Sequence, residues 1–435
     1  MKLLFLTTYN LTIEREHIFT FNVWNELCKQ FDSINDEISL ATIVVGALYT
    51  ESTITEEECN GKRYYKLHYS SSLSEEKKIE EIVRFFKYIA PDIIHSNMVE
   101  AIDVKAAKVC DLPIVLTIHI GGCICPRGGV HGFLNYKDEI CEDKVGPHCL
   151  KCCAQDLPLP IVSHLLYRTI PDNLLLLAAD KVIGKQVFYL SQFLSSFRDV
   201  VQRHKKIEIY KYATIIAANL RLKKLLALNG LTDNVVLLPH GVKSRPRLPF
   251  PTIDGVVKFY YVGRIQSAKG LHNMLRALDG IDRSLYELHI IGDSSTSFRE
   301  RRYKAKLVKL AKNKNVVFHG EIPNINLESV IKDMHVMIHP AILVEVYGLS
   351  IAESLSLGRP VLATRCGGAE MQVQDGVNGW MVEPNNVVAL HNKIIEILNH
   401  KEQLNKMSNN CKLPHSLHRY VENLSMSYKE ILNNL

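Results

Sequence analysis

Pro340 to Gly379 reads PAILVEVYGLSIAESLSLGRPVLATRCGGAEMQVQDGVNG, and the fold is decided by how this stretch is parsed. An apolar run, Val336 to Ile338, precedes it, and a second, Val361 to Ala363, lies within it. Between them two carboxylates, Glu345 and Glu353, stand eight residues apart with Gly348 between. The pattern reads as strand, loop, helix, strand, with Glu345 in the loop and Glu353 on the helix. A helix that begins near Tyr347 to Leu349 turns its free N–H groups and positive dipole end toward an anion. Glu353 is then placed to accept hydrogen bonds from adjacent ribose hydroxyls, as acidic residues do in dinucleotide sites. Glu345 is placed to hold a sugar hydroxyl or to stabilise positive charge on a sugar ring. Spacing alone equally allows two solvated acids at a helix start, where acids are favoured anyway.

Upstream, Val257 to Val262 reads as the first strand of the same α/β domain, followed by strands at Leu288–Ile291 and Val316–Phe318 with helices between. Gly263-Arg264 and Lys269-Gly270 follow that first strand at its carboxyl end. A guanidinium that clamps two oxygens and an ammonium that acts as a point charge suit a diphosphate; the plain alternative is a surface loop with solvated charges.

The first half repeats the α/β rhythm. Lys2–Thr7, Leu40–Val45, Asp92–His95 and Ile114–Ile118 read as strands, and Phe19–Gln30, Glu75–Ile89 and Ala101–Cys110 as helices. A strand at Lys181–Ile183, a basic helical region from Gln192 to Asn229 and a last strand at Val235–Leu238 complete it. Such alternation predicts mostly parallel sheets covered on both faces, with ligands at the carboxyl ends of the strands. A chain of 435 residues exceeds one ordinary core. The expected division is an N-terminal domain over 1–243, a proline-bearing linker at 244–255, a C-terminal domain over 256–415 and a closing amphipathic helix at 416–435.

The formal charge of +6 is unevenly placed. Arg299–Lys314 carries +7 and Arg203–Lys224 carries +6, so the rest of the chain is net −7. That pattern means local basic faces rather than a nucleic-acid-binding protein. No apolar run reaches the roughly 18 residues of a membrane span, and MKLLFLTTYN has too short an apolar core for a signal peptide. The expectation is a cytoplasmic protein whose 11 cysteines are thiols or metal ligands, with its basic helices suited to peripheral contact on the inner face of a membrane.

Taken together, Glu345-x7-Glu353, Gly358-Arg359-Pro360-Val361, Gly367-Gly368-Ala369-Glu370 and Asp375-Gly376-x-Asn378-Gly379 resemble the signature of the retaining glycosyltransferases of family four, the group 1 glycosyltransferases of GT-B fold. Asp92-Ile93-Ile94-His95, Val115 to His119, Ala179 to Ile183, Ser191 to Leu194 and Pro239-His240-Gly241-Val242 resemble further family segments in the same order, the last with His in place of Asn. The resemblance implies two Rossmann-like, doubly wound domains facing across a cleft, with the C-terminal helix returning to the first. It implies transfer of a sugar from a UDP- or GDP-sugar to a glycan or lipid-linked acceptor with the anomeric configuration kept, in surface polysaccharide synthesis. By the same analogy Arg264 and Lys269 neutralise the leaving diphosphate with help from the Gly348 and Leu349 amides. Glu353 binds the ribose, Glu345 contacts the donor sugar, and His119 reaches across from the other domain. The transition state implied is oxocarbenium-like. The sequence has no Asp-x-Asp, which fits catalysis without a metal or other cofactor.

Two stretches depart from the family: the loop after the first strand, and the basic stretch between Leu194 and Pro239, which is longer than typical. The glycine loop expected after the first strand is replaced by TTYNLTIEREHIF, Thr7–Phe19. An insert at 121–156 gathers Cys123, Cys125, Cys141, Cys149, Cys152 and Cys153 within 31 residues. Cys149-x-x-Cys152 has metal-knuckle spacing, and Cys125 with Cys141 would complete a structural zinc site; an iron–sulfur cluster or reduced thiols are the alternatives. Lying next to His119, the insert is expected to shape the acceptor side. Two other functions remain open at this level: a nucleotide-sugar epimerase of the same fold, and a non-catalytic glycan- or nucleotide-binding relative.

Overall fold

The computed structural model describes the whole chain except residues 8–18, 34–35, 47–48, 50, 60, 98, 120–122, 129–131, 147, 155–199, 201–202, 204, 295–297 and 435. The stretches read from sequence as a loop at Thr7–Phe19, a strand at Lys181–Ile183 and a helix start near Gln192 therefore fall wholly or largely outside the described residues. The chain forms two compact units. One comprises Met1–Gly129, Asp143–Pro239 and Leu417–Leu435; the other comprises Val130–Glu142 and His240–Ser416.

The first unit is built on strands β1 (Lys2–Leu6), β2 (Glu37–Gly46), β3 (Thr53–Cys59), β4 (Lys62–Ser70), β5 (Ile93–Ser96), β6 (Ile114–Thr117), β7 (Thr214–Ala217) and β8 (Val235–Leu237). They form one eight-stranded sheet in the order β3-β4-β2-β1-β5-β6-β7-β8. All pairings are parallel except β3 with β4. β1, β5 and β6 are short and almost wholly buried because both faces of the sheet are covered. On one face the helix Phe19–Ser33 and the C-terminal helix Leu417–Asn433 share a core: Leu3 and Phe5 meet Trp24, Leu27 and Phe31, and Tyr420, Leu424 and Tyr428 close over them. The amphipathic spacing from Leu417 onward is thus satisfied by the first unit.

The second unit is an all-parallel sheet of β9 (Val257–Val262), β10 (Tyr286–Ile291), β11 (Val316–Gly320), β12 (Val336–His339), β13 (Val361–Thr364) and β14 (Gly379–Val382). Its order is β11-β10-β9-β12-β13-β14. Chain direction across the sheet reverses between β9 and β12, the topological switch point at which such sheets bind ligands. Alternation along β9 sends Phe259 and Tyr261 into one core and Tyr260 into the other, so helices cover both faces.

Several details differ from the sequence reading. The β3–β4 hairpin and the edge strand β14 were not anticipated, and β7 (Thr214–Ala217) interrupts the region read as helical from Gln192 to Asn229. The proline-bearing residues 244–255 group with the second unit rather than standing apart. They are held by Arg359, whose fully buried guanidinium donates to the carbonyls of Leu248, Pro249, Ile331, Lys332 and Leu357 at 2.9–3.4 Å. Finally, Val130–Glu142, from the middle of the cysteine insert, belongs to the second unit and not to the first.

Candidate functional site

The site of the second unit grows from the carboxyl ends of β9 and β12. After β9 the chain turns at Gly263, and Ile265 N–H is tied to Asp293 O at 2.9 Å, which leaves the Arg264 side chain exposed. Among the described residues its guanidinium has no hydrogen-bond or ion-pair partner. A single helical turn, Ser267–Lys269, follows and ends on Gly270 at φ 71°. A Cβ at Gly270 would stand 1.8 Å from the Pro340 carbonyl oxygen, so only glycine lets this turn press against the end of β12. Ile342 N–H donates to Ala268 O at 2.9 Å and joins the two loops.

That junction sets the central contact. Lys269 Nζ lies 2.5 Å from Glu345 Oε2, with both side chains largely buried. His339, the last residue of β12, brings Nε2 to 3.4 Å from the same oxygen. Burial opposes ionisation of Glu345, but the Lys269 ammonium and the His339 ring outweigh it and hold the carboxyl well below the usual carboxylate range. Glu345 is fixed through its backbone as well: its N–H donates to Cys366 O at 2.7 Å and its carbonyl accepts from Gly368 N–H at 2.9 Å.

Gly348 (φ 79°) starts the helix Leu349–Ser356, and having no side chain it offers no capping oxygen to the first N–H groups. The peptide before it is locked by Gln372, whose Nε2 donates to Tyr347 O at 2.5 Å and to Gly368 O at 3.1 Å. Glu353 sits one turn into the helix. Burial raises its carboxyl and Arg245 opposes the rise; among the described residues the carboxylate accepts no hydrogen bond. Glu370 closes the arrangement by accepting from Gly367 N–H at 2.7 Å.

The structure thus brings Lys269, Glu345, Gly348, Leu349 and Glu353 to one loop cluster of the second unit, with Arg264 on the neighbouring strand end. His339 and Gln372 were missed by sequence reasoning. A lone His at a strand end carries no signal until Glu345 is seen to fold back over it.

Residues 250–413 match the sequence model of "Glycosyl transferases group 1". This stretch of the chain is thus similar to the group 1 glycosyl transferases. The match lies wholly within the second unit and contains every residue of the cluster just described. An uncharacterized 41.2 kDa protein in the cps region of Klebsiella pneumoniae is 26% identical over 51% of this chain and 64% of its own length. The O-antigen chain mannosyltransferase C of Escherichia coli is 28% identical over 41% of this chain and 49% of its own. The chain therefore spans about half to two-thirds of these curated relatives. A solved structure, Anabaena HepE in complex with UDP and glucose, superposes with a TM-score of 0.63 over 99% of both chains at 13% identity. The two units thus have the GT-B fold anticipated from sequence.

In the first unit His119 follows β6. Its Nε2 lies 2.8 Å from Asn97 Oδ1, and Asn97 Nδ2 donates to Leu6 O at 3.3 Å. Asn97 Oδ1 is therefore the acceptor and His119 Nε2 the donor. Burial lowers the ring to about 4, so it is neutral at ordinary pH. The cysteines anticipated as metal ligands are divided: Cys125, Cys149 and Cys152 belong to the first unit, whereas Cys141 belongs to the second. Among the described residues the first three do not gather into one ligand set. Cys149 Sγ accepts from Gly146 N–H at 3.5 Å and lies 3.7 Å from His148 Nε2. The cysteines whose side chains are described form no disulfide with one another. No described helix is long and apolar enough to cross a membrane.

Proposed function

We propose that the chain is a retaining glycosyltransferase whose second unit binds a nucleotide-sugar and whose first unit receives the acceptor. The observation that carries the reading is the Lys269–Glu345–His339 group at the β9/β12 switch point, with Arg264 exposed beside it. The Lys269 side chain is held by a carboxylate that stays ionised and stands ready to turn toward a diphosphate. As the bond from the anomeric carbon to the phosphate oxygen breaks, negative charge grows on the diphosphate. Lys269, Arg264 and the amides of Gly348 and Leu349 stabilise that charge without reorganising solvent. Glu345, released from Lys269, faces the sugar as positive charge develops on its ring, while His339 remains beside the carboxylate. Glu353, a half-buried acid with spare acceptor capacity, suits a pair of ribose hydroxyls. Two cations in the donor loop supply the charge that a divalent ion supplies elsewhere, which supports transfer without a metal.

The UDP in the HepE structure and the mannosyl transfer named for the Escherichia coli relative support a UDP- or GDP-sugar donor and a surface-glycan acceptor, free or lipid-linked. The exposed basic helix Phe298–Leu310 suits peripheral contact with anionic lipid. The experiment is a titration of the intact chain with UDP and GDP, followed by assays of each matching nucleotide-sugar for hydrolysis and transfer, with analysis of the anomer formed. Saturable binding and a product of retained configuration are expected. Failure to bind either nucleotide would sink the reading, and release of an epimerised free sugar would replace it with the epimerase.

A further inference from the structure

The part of the cysteine insert that groups with the second unit is a compact hairpin. Leu134 and Ile140 form an antiparallel bridge, Asn135 N–H donates to Glu139 O at 2.9 Å, and Cys141 N–H donates to Phe133 O at 2.8 Å. The Asn135 side chain organises the turn from within, accepting from the N–H groups of Lys137 at 2.8 Å and Glu139 at 3.1 Å. A hairpin of this size is not stable alone in water, so its apolar side chains need a partner surface.

That surface is the pair of loops that carry Lys269 and Glu345. Leu134 is buried in a small cluster of its own with Ala268 and Ile342, and Leu343 packs at its edge. Ala268 is the residue before Lys269, and Ile342 is three residues before Glu345. A polar latch holds the other end. Asn385 Nδ2 donates to the Asp138 carbonyl at 2.6 Å, and Asn385 Oδ1 accepts from Asn273 Nδ2 at 2.9 Å. Asn273 lies on the helix Leu271–Ala277 that leaves the Lys269 turn. The hairpin therefore touches the turn at its middle, the facing loop, and, through Asn385, the helix that follows.

We propose that the hairpin Phe133–Cys141 is a positioning clip for the diphosphate loop, with Leu134 as the residue that holds Lys269 in register with Glu345. The proposal rests on the reading of the site given above, but it makes a claim about Lys269 that can be tested with no nucleotide at all. It also moves this part of the insert from the acceptor side, where its nearness to His119 in sequence placed it, to the donor side.

The experiment compares the intact chain with Leu134→Ala, Leu134→Met and Asn385→Ala. The first readout is the rate at which an amine-acylating reagent labels each lysine, resolved by peptide mass spectrometry. Lys269 labelling is expected to rise about tenfold in Leu134→Ala, with the lysines of β4 and of the helix Glu75–Ile89 unchanged and with Leu134→Met close to the parent rate. The second readout is affinity for UDP and GDP. Leu134→Ala is expected to weaken it about tenfold in the parent background and to have no further effect in the Lys269→Ala background, because the clip acts through that ammonium. A lowered melting temperature with Lys269 labelling unchanged would overturn the proposal and leave Leu134 as filler. Equal losses in both backgrounds would do the same. Absence of nucleotide binding in the parent chain would count against the proposed function, while the labelling result would still decide the clip.

Discussion

The two sheets carry the same core order, a reversal beside the first strand of each unit, yet the two reversals are furnished differently. At β9/β12 the strand ends carry cations, a buried carboxylate and a glycine pressed within contact distance of a facing carbonyl. At β1/β5 the described residues offer a neutral pair, His119 and Asn97, hydrogen-bonded at 2.8 Å and anchored to Leu6. The difference teaches that one topology can be furnished in two ways: the second unit's reversal carries formal charge, and the first unit's carries a neutral donor–acceptor pair. Under the proposed function the first suits a diphosphate and the second an acceptor hydroxyl.

The comparison can be broken most sharply at Lys269. Lys269→Ala should lower the transfer rate by about 10²–10³-fold, the range seen when one preorganised stabilising donor is lost. Steady-state kinetics with the best donor checks it; a variant with full activity would remove the charged half of the contrast.

Within the second unit, Arg359 asks whether a buried charge there always means function. It meets five backbone carbonyls and, among the described residues, no carboxylate. Arg359→Leu should destabilise the unit by about 3 kcal/mol, since carbonyls are left without donors. Denaturant titration measures this, and the folded fraction should keep its nucleotide affinity.

A smaller effect is expected at the neutral reversal. His119→Ala should reduce transfer about tenfold, the scale of one hydrogen bond, and leave UDP and GDP affinity unchanged. A drop in nucleotide affinity instead would make the two reversals alike.

The mildest test uses pH. His119 is lowered by burial to about 4 from an ordinary 6.5, so the unfolded chain takes up a proton before the folded one does. Its contribution to stability is complete above pH 6.5 and is lost as pH falls toward 4. Glu345 is held below its ordinary 4.5, so its contribution is lost only as pH falls beneath that value. His119→Gln should flatten the stability profile in the upper window alone, and Glu345→Gln in the lower one. Equilibrium unfolding across the range reads both.

Much of the second unit was legible in the sequence because its signals are local. Apolar runs mark β9 to β13, and glycines mark the turns after β9 and before the helix Leu349–Ser356. The edge strand β14 escaped because Gly379–Val382 is four residues that open on a glycine. The β3–β4 hairpin escaped because TITEEEC carries three consecutive glutamates that break the apolar alternation, although the Asn60-Gly61 dipeptide between the strands is a hairpin signal. His339 and Leu134 were illegible for another reason. Their significance lies in neighbours brought in by folding, a carboxylate six residues on for one and an alanine and isoleucine from another part of the chain for the other. No periodicity encodes such meetings. Spacing along the chain also does not express how the four cysteines are divided, with Cys125, Cys149 and Cys152 in the first unit and Cys141 in the second.

The Arg359 anchorage has a practical side. A sequence-based dissection would cut the second unit free near residue 256, where its first strand approaches. A fragment cut there would lack the carbonyls of Leu248 and Pro249, two of the acceptors its most buried cation needs. It would also lack the Leu134 hairpin. A fragment meant for crystals or spectra should begin no later than His240 and carry Val130–Glu142 grafted or supplied as a peptide. Whether that peptide rebinds would itself report how far the unit has been made to stand alone.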